Sequence, residues 1–132
     1  NNIGLRELFI LQKLGPVYVK SLDMTNTQVG RLDETLEYMQ IESLTIRNWE
    51  KANMDFLKGR RILHIDAKNS KIDLSRYIEE LPLVSLNISG TPFKNWEVLK
   101  TLRFLKKLYV SKNQIPKHIK KQFPAELEII IE

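Results

Sequence analysis

The sequence predicts an α/β protein built as a solenoid of five to six coils, and three observations carry that expectation. The first is a short phrase that returns along the chain: Ser21-Leu22-Asp23-Met24, Ser43-Leu44-Thr45-Ile46, Ile62-Leu63-His64-Ile65, Ser85-Leu86-Asn87-Ile88 and Lys107-Leu108-Tyr109-Val110. Its leucines fall 22, 19, 23 and 22 residues apart, and a weaker copy, Glu126-Leu127-Glu128-Ile129, follows 19 later. A period of about 20–29 residues built on L-x-L marks stacked coils. The second observation is alternation: within each phrase apolar residues occupy every other position, as in a strand buried on one side. The third is the stretch that follows, where Trp96, Leu99, Leu102 and Leu105 recur every third residue. That spacing suits 3₁₀ or short helical turns better than a long α-helix.

Each coil can be justified in turn. At the start, Leu5, Leu8, Leu11, Leu14 and Val17 recur every third residue, so residues 1–19 read either as a partial repeat or as an N-terminal capping helix over Ile3–Leu14 closed by Gly15-Pro16. Residues 20–132 read as the repeats themselves, all within a single domain. The clearest unit runs from Leu83 to Val110, with Gly90 and Pro92 punctuating the change from strand to back segment. A strand that turns, crosses back and starts the next parallel strand coils to the right. The apolar ending Glu128-Ile129-Ile130-Ile131-Glu132 lacks a polar cap, which a terminal coil needs. Either a neighbouring domain or subunit covers it or this is a segment of a larger protein.

With these residues in view, the unit Leu83-x-x-Leu86-x-Ile88-x-x-Thr91-x-Phe93 resembles a leucine-rich repeat of the short subclass of about 22 residues, in a degenerate, bacterial-like form. Lys112-Asn113-Gln114-Ile115-Pro116 with Phe123-Pro124-Ala125-Glu126-Leu127 is similar to the N-x-I-P…L-P-x-x-L variant. The resemblance implies a right-handed solenoid with a short parallel sheet on its concave side and short helical segments on its convex side. It also implies a scaffold for protein–protein interaction. The family position that holds Asn, whose side chain satisfies backbone groups between coils, falls here on Thr27, Trp49, Lys68, Thr91 and Asn113. Buried backbone groups must still find partners. The second and third coils are therefore expected to be irregular, with Asn26 and Asn48 taking part of that role.

Composition narrows the function classes. Apolar residues make up 42% and charged residues 28% of the 132, ordinary for a folded domain. No apolar run approaches the ~20 residues of a membrane span, and the chain starts without a signal-peptide pattern. Cysteine is absent, so neither disulfides nor thiolate chemistry is available, and a cytoplasmic setting is expected. The net charge of +5 is uneven: residues 98–125 hold eight Lys or Arg and no Asp or Glu. Lys100, Arg103, Lys106, Lys107, Lys112, Lys117, Lys120 and Lys121 are expected at the C-terminal edge and back, where a polyanion or nucleic acid could bind. A solvated face is the plainer reading of the same charges.

Residues flanking the buried pair of each strand point outward. On the phrases above, the outward row includes Ser21, Asp23, Ser43, Thr45, Arg47, Ile62, His64, Asp66, Ser85, Asn87, Ser89, Lys107, Tyr109, Glu126, Glu128 and Ile130. Arg47, His64, Asp66, Asn87, Lys107 and Tyr109 are the expected partner-binding residues, since hydrogen-bonding groups around an aromatic and an Arg suit recognition. Lys112, Lys117, Lys120 and Lys121 are the expected polyanion residues.

His64, Asp66 and Ser85 or Ser89 invite a hydrolase reading, but no G-x-S-x-G elbow or glycine-rich oxyanion loop accompanies them. Two histidines without cysteine offer no zinc spacing, and no phosphate-cradling glycine motif occurs. A non-catalytic module without cofactor or metal, whose partner is another protein, is the expectation. Trp96 is expected in the core, and Trp49 in the core or at an interface.

Overall fold

The computed structural model describes residues 2–3, 17–25, 39–50 and 54–132. Among them are seven strands: β1 (Asn2–Ile3), β2 (Val17–Asp23), β3 (Met39–Thr45), β4 (His64–Asp66), β5 (Ser85–Asn87), β6 (Lys107–Val110) and β7 (Glu128–Ile131). They form one sheet in chain order, and every neighbouring pair is parallel. Between them lie three 3₁₀ turns, Asp55–Leu57, Leu74–Arg76 and Trp96–Thr101, and one short α-helix, Lys117–Lys120. The protein therefore has α/β character, with an open parallel sheet and few short helices. Of the expected partial repeat or cap over residues 1–19, with its alternative helix over Ile3–Leu14, only residues 2–3 and 17–19 are described, in β1 and β2; the rest lies outside the described residues, as do Asn26 and Thr27. No helix among the described residues is long and apolar enough to cross a membrane.

Strand register shows which residues repeat. Leu22 pairs with Leu44, Leu44 with Ile65, Ile65 with Leu86, Leu86 with Leu108, and Leu108 with Ile129. These positions are 22, 21, 21, 22 and 21 residues apart, so the turns are nearly even. The phrase-based expectation misplaced two of them. In the third turn the buried position is Ile65, not Leu63, and in the last the residue in register is the half-buried Ile129, not Leu127. Ile62, expected on the outward row, is fully buried, and Leu63 is half-buried instead. Glu126 is exposed ahead of β7 rather than standing in its row. The strands of the second and third turns keep the same register and spacing as their neighbours.

With this register every complete turn carries the same buried pattern. It reads Val19-x-x-Leu22-x-Met24, Ile41-x-x-Leu44-x-Ile46, Ile62-x-x-Ile65-x-Ala67, Leu83-x-x-Leu86-x-Ile88 and Leu105-x-x-Leu108-x-Val110, and all but the half-buried Leu105 are buried. Three apolar columns thus run across the sheet, perpendicular to the strands. The back segments close the core with Met54, Phe56, Leu57, Leu74, Ile78, Trp96 and Leu99. The Phe93 and Trp96 rings meet edge to face at 4.8 Å. Burying each Leu or Ile removes it from water at a gain of roughly 1.5–3 kcal/mol, and that gain holds turn to turn.

After β3, β4, β5 and β6 the chain turns through a left-handed residue: Asn48, Asn69 and Gly90 stand four positions after the buried Leu or Ile, and Asn113 five after Leu108. Asn and Gly tolerate φ near +64° to +74° at little cost, which explains their choice there. Asn48 thus serves as the turn residue.

Next to it stands a ladder of donors. Trp49 Nε1 donates to Met24 O (2.7 Å), Ser70 Oγ donates to Ile46 O, and Gln114 Nε2 donates to Ile88 O (2.8 Å). These carbonyls occupy the same position in the first, second and fourth of these turns; in the third, Ala67 O accepts the backbone N–H of Ser70 at 3.0 Å. Thr91 Oγ1 bonds Ile88 O within its own turn at 2.8 Å. The bridging residues are therefore Trp49, Ser70 and Gln114, not Lys68 and Asn113. Among the described residues no buried side-chain polar atom lacks a partner.

Candidate functional site

Parallel strands this close present their outward side chains as rows. One runs Ser21, Ser43, His64, Ser85, Lys107, Glu128, and the next Asp23, Thr45, Asp66, Asn87, Tyr109, Ile130. Two residues further along each turn come Thr25, Arg47, Lys68, Ser89 and Ser111. Three residues of the second row also shape the chain just after the strands. Asp23, Asp66 and Asn87 each accept, through Oδ1, the backbone N–H two residues on (Thr25, Lys68 and Ser89, at 3.0, 3.2 and 3.0 Å). Such turns bend the chain locally, while backbone bonds between turns continue past them, Ala67 N–H to Asn87 O at 2.9 Å and Asn69 N–H to Ser89 O at 2.8 Å. They also fix the orientation of these three side chains.

Over the middle of this face lies a cleft of about 300 Å³. Arg47, His64, Asp66, Asn87 and Tyr109 all line it, together with Ser43, Thr45, Ser85 and Glu132. Lys107 does not: it is exposed on β6, in register with Ser85 and Glu128. Lys112, Lys117, Lys120 and Lys121 are exposed on the turn and short helix after β6, also outside the cleft lining.

Polar bonds order the cleft. Arg47 contacts Asp66 Oδ2 through Nε at 2.8 Å and Nη2 at 2.6 Å. That hydrogen bond, more than the fields of Asp66, Glu132 and Asp23, raises the Arg47 pKa further above its ordinary value, against a smaller opposing effect of burial. The guanidinium is thus a permanent cation in the cleft. His64 Nδ1 and Ser85 Oγ share a hydrogen bond of 2.7 Å. His64 is half-buried and bonded, rather than merely solvated. Asp66 is engaged by Arg47 and by its own turn, so the bonds observed for His64 and Asp66 do not link the two.

Compared with known proteins, the chain matches no family model, no curated protein and no solved structure.

One cleft residue, Glu132, and one residue bonded to it, Lys68, have no place in the expected site. Lys68 was assigned to the inter-coil ladder because the third turn was taken two residues too early; in the observed register it stands beside Arg47 on the outward side. Glu132 carried no signal at all. Its carboxylate accepts a hydrogen bond from Asn87 Nδ2 at 3.1 Å and pairs with Lys68 Nζ at 2.8 Å. Both side chains of that ion pair are about a quarter to a third exposed (35% for Lys68, 23% for Glu132). Trp49 and Trp96 are both in the core. A second hollow, about 280 Å³, lies on the other side of the turns between Glu80, Leu81, Thr101, Arg103 and Phe104.

Proposed function

We propose that this chain is a leucine-rich-repeat solenoid acting as a non-catalytic protein-interaction module, which engages a protein partner through the outward face of β3–β6. The observation that carries the reading is the convergence of Arg47, His64, Asp66, Asn87 and Tyr109, from successive turns, on one open cleft. Their mixture of a cation, hydrogen-bonding groups and one tyrosine is the composition of recognition surfaces. The repeated L-x-x-L-x-L pattern and the evenly spaced turns support the repeat-family reading. The non-catalytic reading draws support from Asp66, whose observed bonds are to Arg47 and its own turn, while a serine nucleophile needs a base oriented by a third group.

Selection of a random dodecapeptide phage library on the immobilised protein tests the proposal. Enriched peptides should lose binding at least tenfold to Arg47→Ala and Tyr109→Ala, and keep it against Lys117→Glu/Lys120→Glu/Lys121→Glu. Peptides that follow the lysine changes instead would move the binding surface off the strand face.

A second reading rests on a separate observation. Of the eight basic residues between 98 and 125, only Lys100 makes an ion pair among the described residues, with Glu97 at 2.7 Å. Arg103, Lys106, Lys107, Lys112, Lys117, Lys120 and Lys121 are all exposed. Such uncompensated charge favours nucleic acid or another polyanion. Binding to duplex DNA should then weaken linearly in log–log salt plots, with the slope falling by about 0.9 per lysine replaced. A salt-independent affinity would dismiss this reading.

A further inference from the structure

Glu132 stands in an unexpected place. Its backbone follows β7, and its amide donates to Val110 O on β6 at 2.9 Å. Its carboxylate nonetheless reaches past β6 to groups of two earlier turns, Asn87 on β5 and Lys68 just after β4. The field of Glu132 is felt at Arg47 as well. One carboxylate is therefore held by a side-chain amide and an ammonium, beside a guanidinium, within the cleft described above.

The holding groups are preorganised. Asn87 is buried, and its Oδ1 is committed to Ser89 N at 3.0 Å, so its Nδ2 donor points towards the cleft. With Glu132 withdrawn, that donor would lose its acceptor in a mostly desolvated position, a costly state. Arg47 and Lys68 against Asp66 would then leave one positive charge, matched by a single monoanion. The two donors address the two oxygens of one carboxyl group separately, Oε1 and Oε2.

We propose that Asn87 and Lys68, supported by Arg47, form a carboxylate-binding subsite, occupied here by the chain's own Glu132, and that the partner segment presents a glutamate side chain to it. The inference rests on the reading of this face as a partner-binding surface, and it adds the chemistry of the partner. Glu132 competes from within, so the subsite is open only in the fraction of molecules whose Glu132 has moved away. Removing the competitor raises apparent affinity by the inverse of that fraction.

The test is fluorescence anisotropy with three labelled heptapeptides. One is amidated with a central glutamate, the second is its glutamine counterpart, and the third is the glutamine peptide with a free terminal carboxylate. Glu132→Gln should bind the glutamate peptide about tenfold more tightly than the unaltered chain does, with no gain for the glutamine peptide. Adding Lys68→Met, or Asn87→Asp, which keeps the Oδ1 bond to Ser89 but replaces the donor with a repelling oxygen, should erase that gain. An equal gain for both amidated peptides, or none, would overturn the subsite. A gain for the free-terminus peptide alone would overturn the glutamate assignment.

Should Glu132→Gln fail to fold, the Asn87 side-chain amide resonances of the unaltered chain serve instead. They should shift on adding the glutamate peptide and stay fixed with glutamine, and the reverse refutes the proposal. Phage-selected peptides that need Arg47 and Tyr109 but ignore Glu132→Gln would sink this inference while leaving the interaction module standing. If no peptide bound the face at all, both would fall.

Discussion

Ser70→Ala is the sharpest probe of how the turns are tied together. Ser70 is fully buried; its hydroxyl donates to Ile46 O of the preceding turn and accepts from Trp49 N at 3.0 Å. Alanine fits the space but leaves one carbonyl and one N–H in the core without partners. Each orphaned group costs about 1–3 kcal/mol, so a loss of about 2–4 kcal/mol is expected once partial relaxation is allowed. In a domain of marginal stability that is a large fraction of the total. With a urea m-value of about 2 kcal/mol/M, the unfolding midpoint should fall by about 1–2 M with m unchanged. The measurement is equilibrium urea unfolding followed by far-UV circular dichroism and, separately, by tryptophan fluorescence. Lys68→Ala is the control, because it removes only a partly exposed ion pair worth about 0–1 kcal/mol. A Ser70→Ala midpoint within 0.3 M (roughly the scatter of such extrapolations) of the parent, or a larger effect from Lys68→Ala, would refute the ladder assignment and the register behind it.

Three further outcomes are expected. Gly90→Ala should destabilise the fold by at least about 1–2 kcal/mol, since φ is +74° and the new Cβ would lie 2.6 Å from Asn69 Oδ1; differential scanning calorimetry reads the shift, and an unchanged Tm would contradict it. Glu80 carries φ of 61° without the tolerance of Asn or Gly, so Glu80→Gly should stabilise by about 0.5–1 kcal/mol while its N–H keeps its bond to Thr101 Oγ1, and a loss of stability would count against strain there. The Tyr18 hydroxyl donates to Glu42 at 2.5 Å, and that bond, with smaller contributions from desolvation and the Glu42 charge, raises its pKa above 10.0. The folded state thus favours the protonated phenol, so the contribution is present below pH 10.0 and is lost as pH rises through the folded value. Ultraviolet titration should find that Tyr18→Phe removes a phenol ionising above 10.0, and removal of an earlier one would contradict the assignment.

The period, the strand positions and the short helical backs could be read from the sequence because apolar columns leave a periodic trace. The third and last turns could not be aligned by that trace alone. Ile62-Leu63-His64-Ile65-Asp66-Ala67 offers two L-x-I-like pairs, Leu63 with Ile65 and Ile65 with Ala67, and the more hydrophobic pair is the wrong one. Ala67 marks the core only weakly by size, although it is fully buried. The Ile-rich end of the chain has the same ambiguity. Arg47, His64, Asp66, Asn87 and Tyr109 were still placed on the outward face, because His64 and Asp66 keep their parity under a shift of two residues. Lys68 and the bridging Ser70 and Gln114 were hidden by that same shift and by a one-residue insertion near Lys112. Glu132 depends on a contact across three strands, for which local pattern has no record.

The unlike donors of the ladder also bear on how the chain avoids folding errors. Arrays of identical repeats can stack in the wrong order at almost no energetic penalty, since any turn fits any other. Here an indole N–H, a serine hydroxyl and a glutamine amide each span a different distance to the carbonyl they meet. Exchanging neighbours would leave Ser70 too short where Trp49 or Gln114 belongs, and the larger two without room where Ser70 sits. The ladder thus works as a set of keyed joints, so that chemical variety, which blurs the repeat for a reader of the sequence, gives the turns it joins a single correct address.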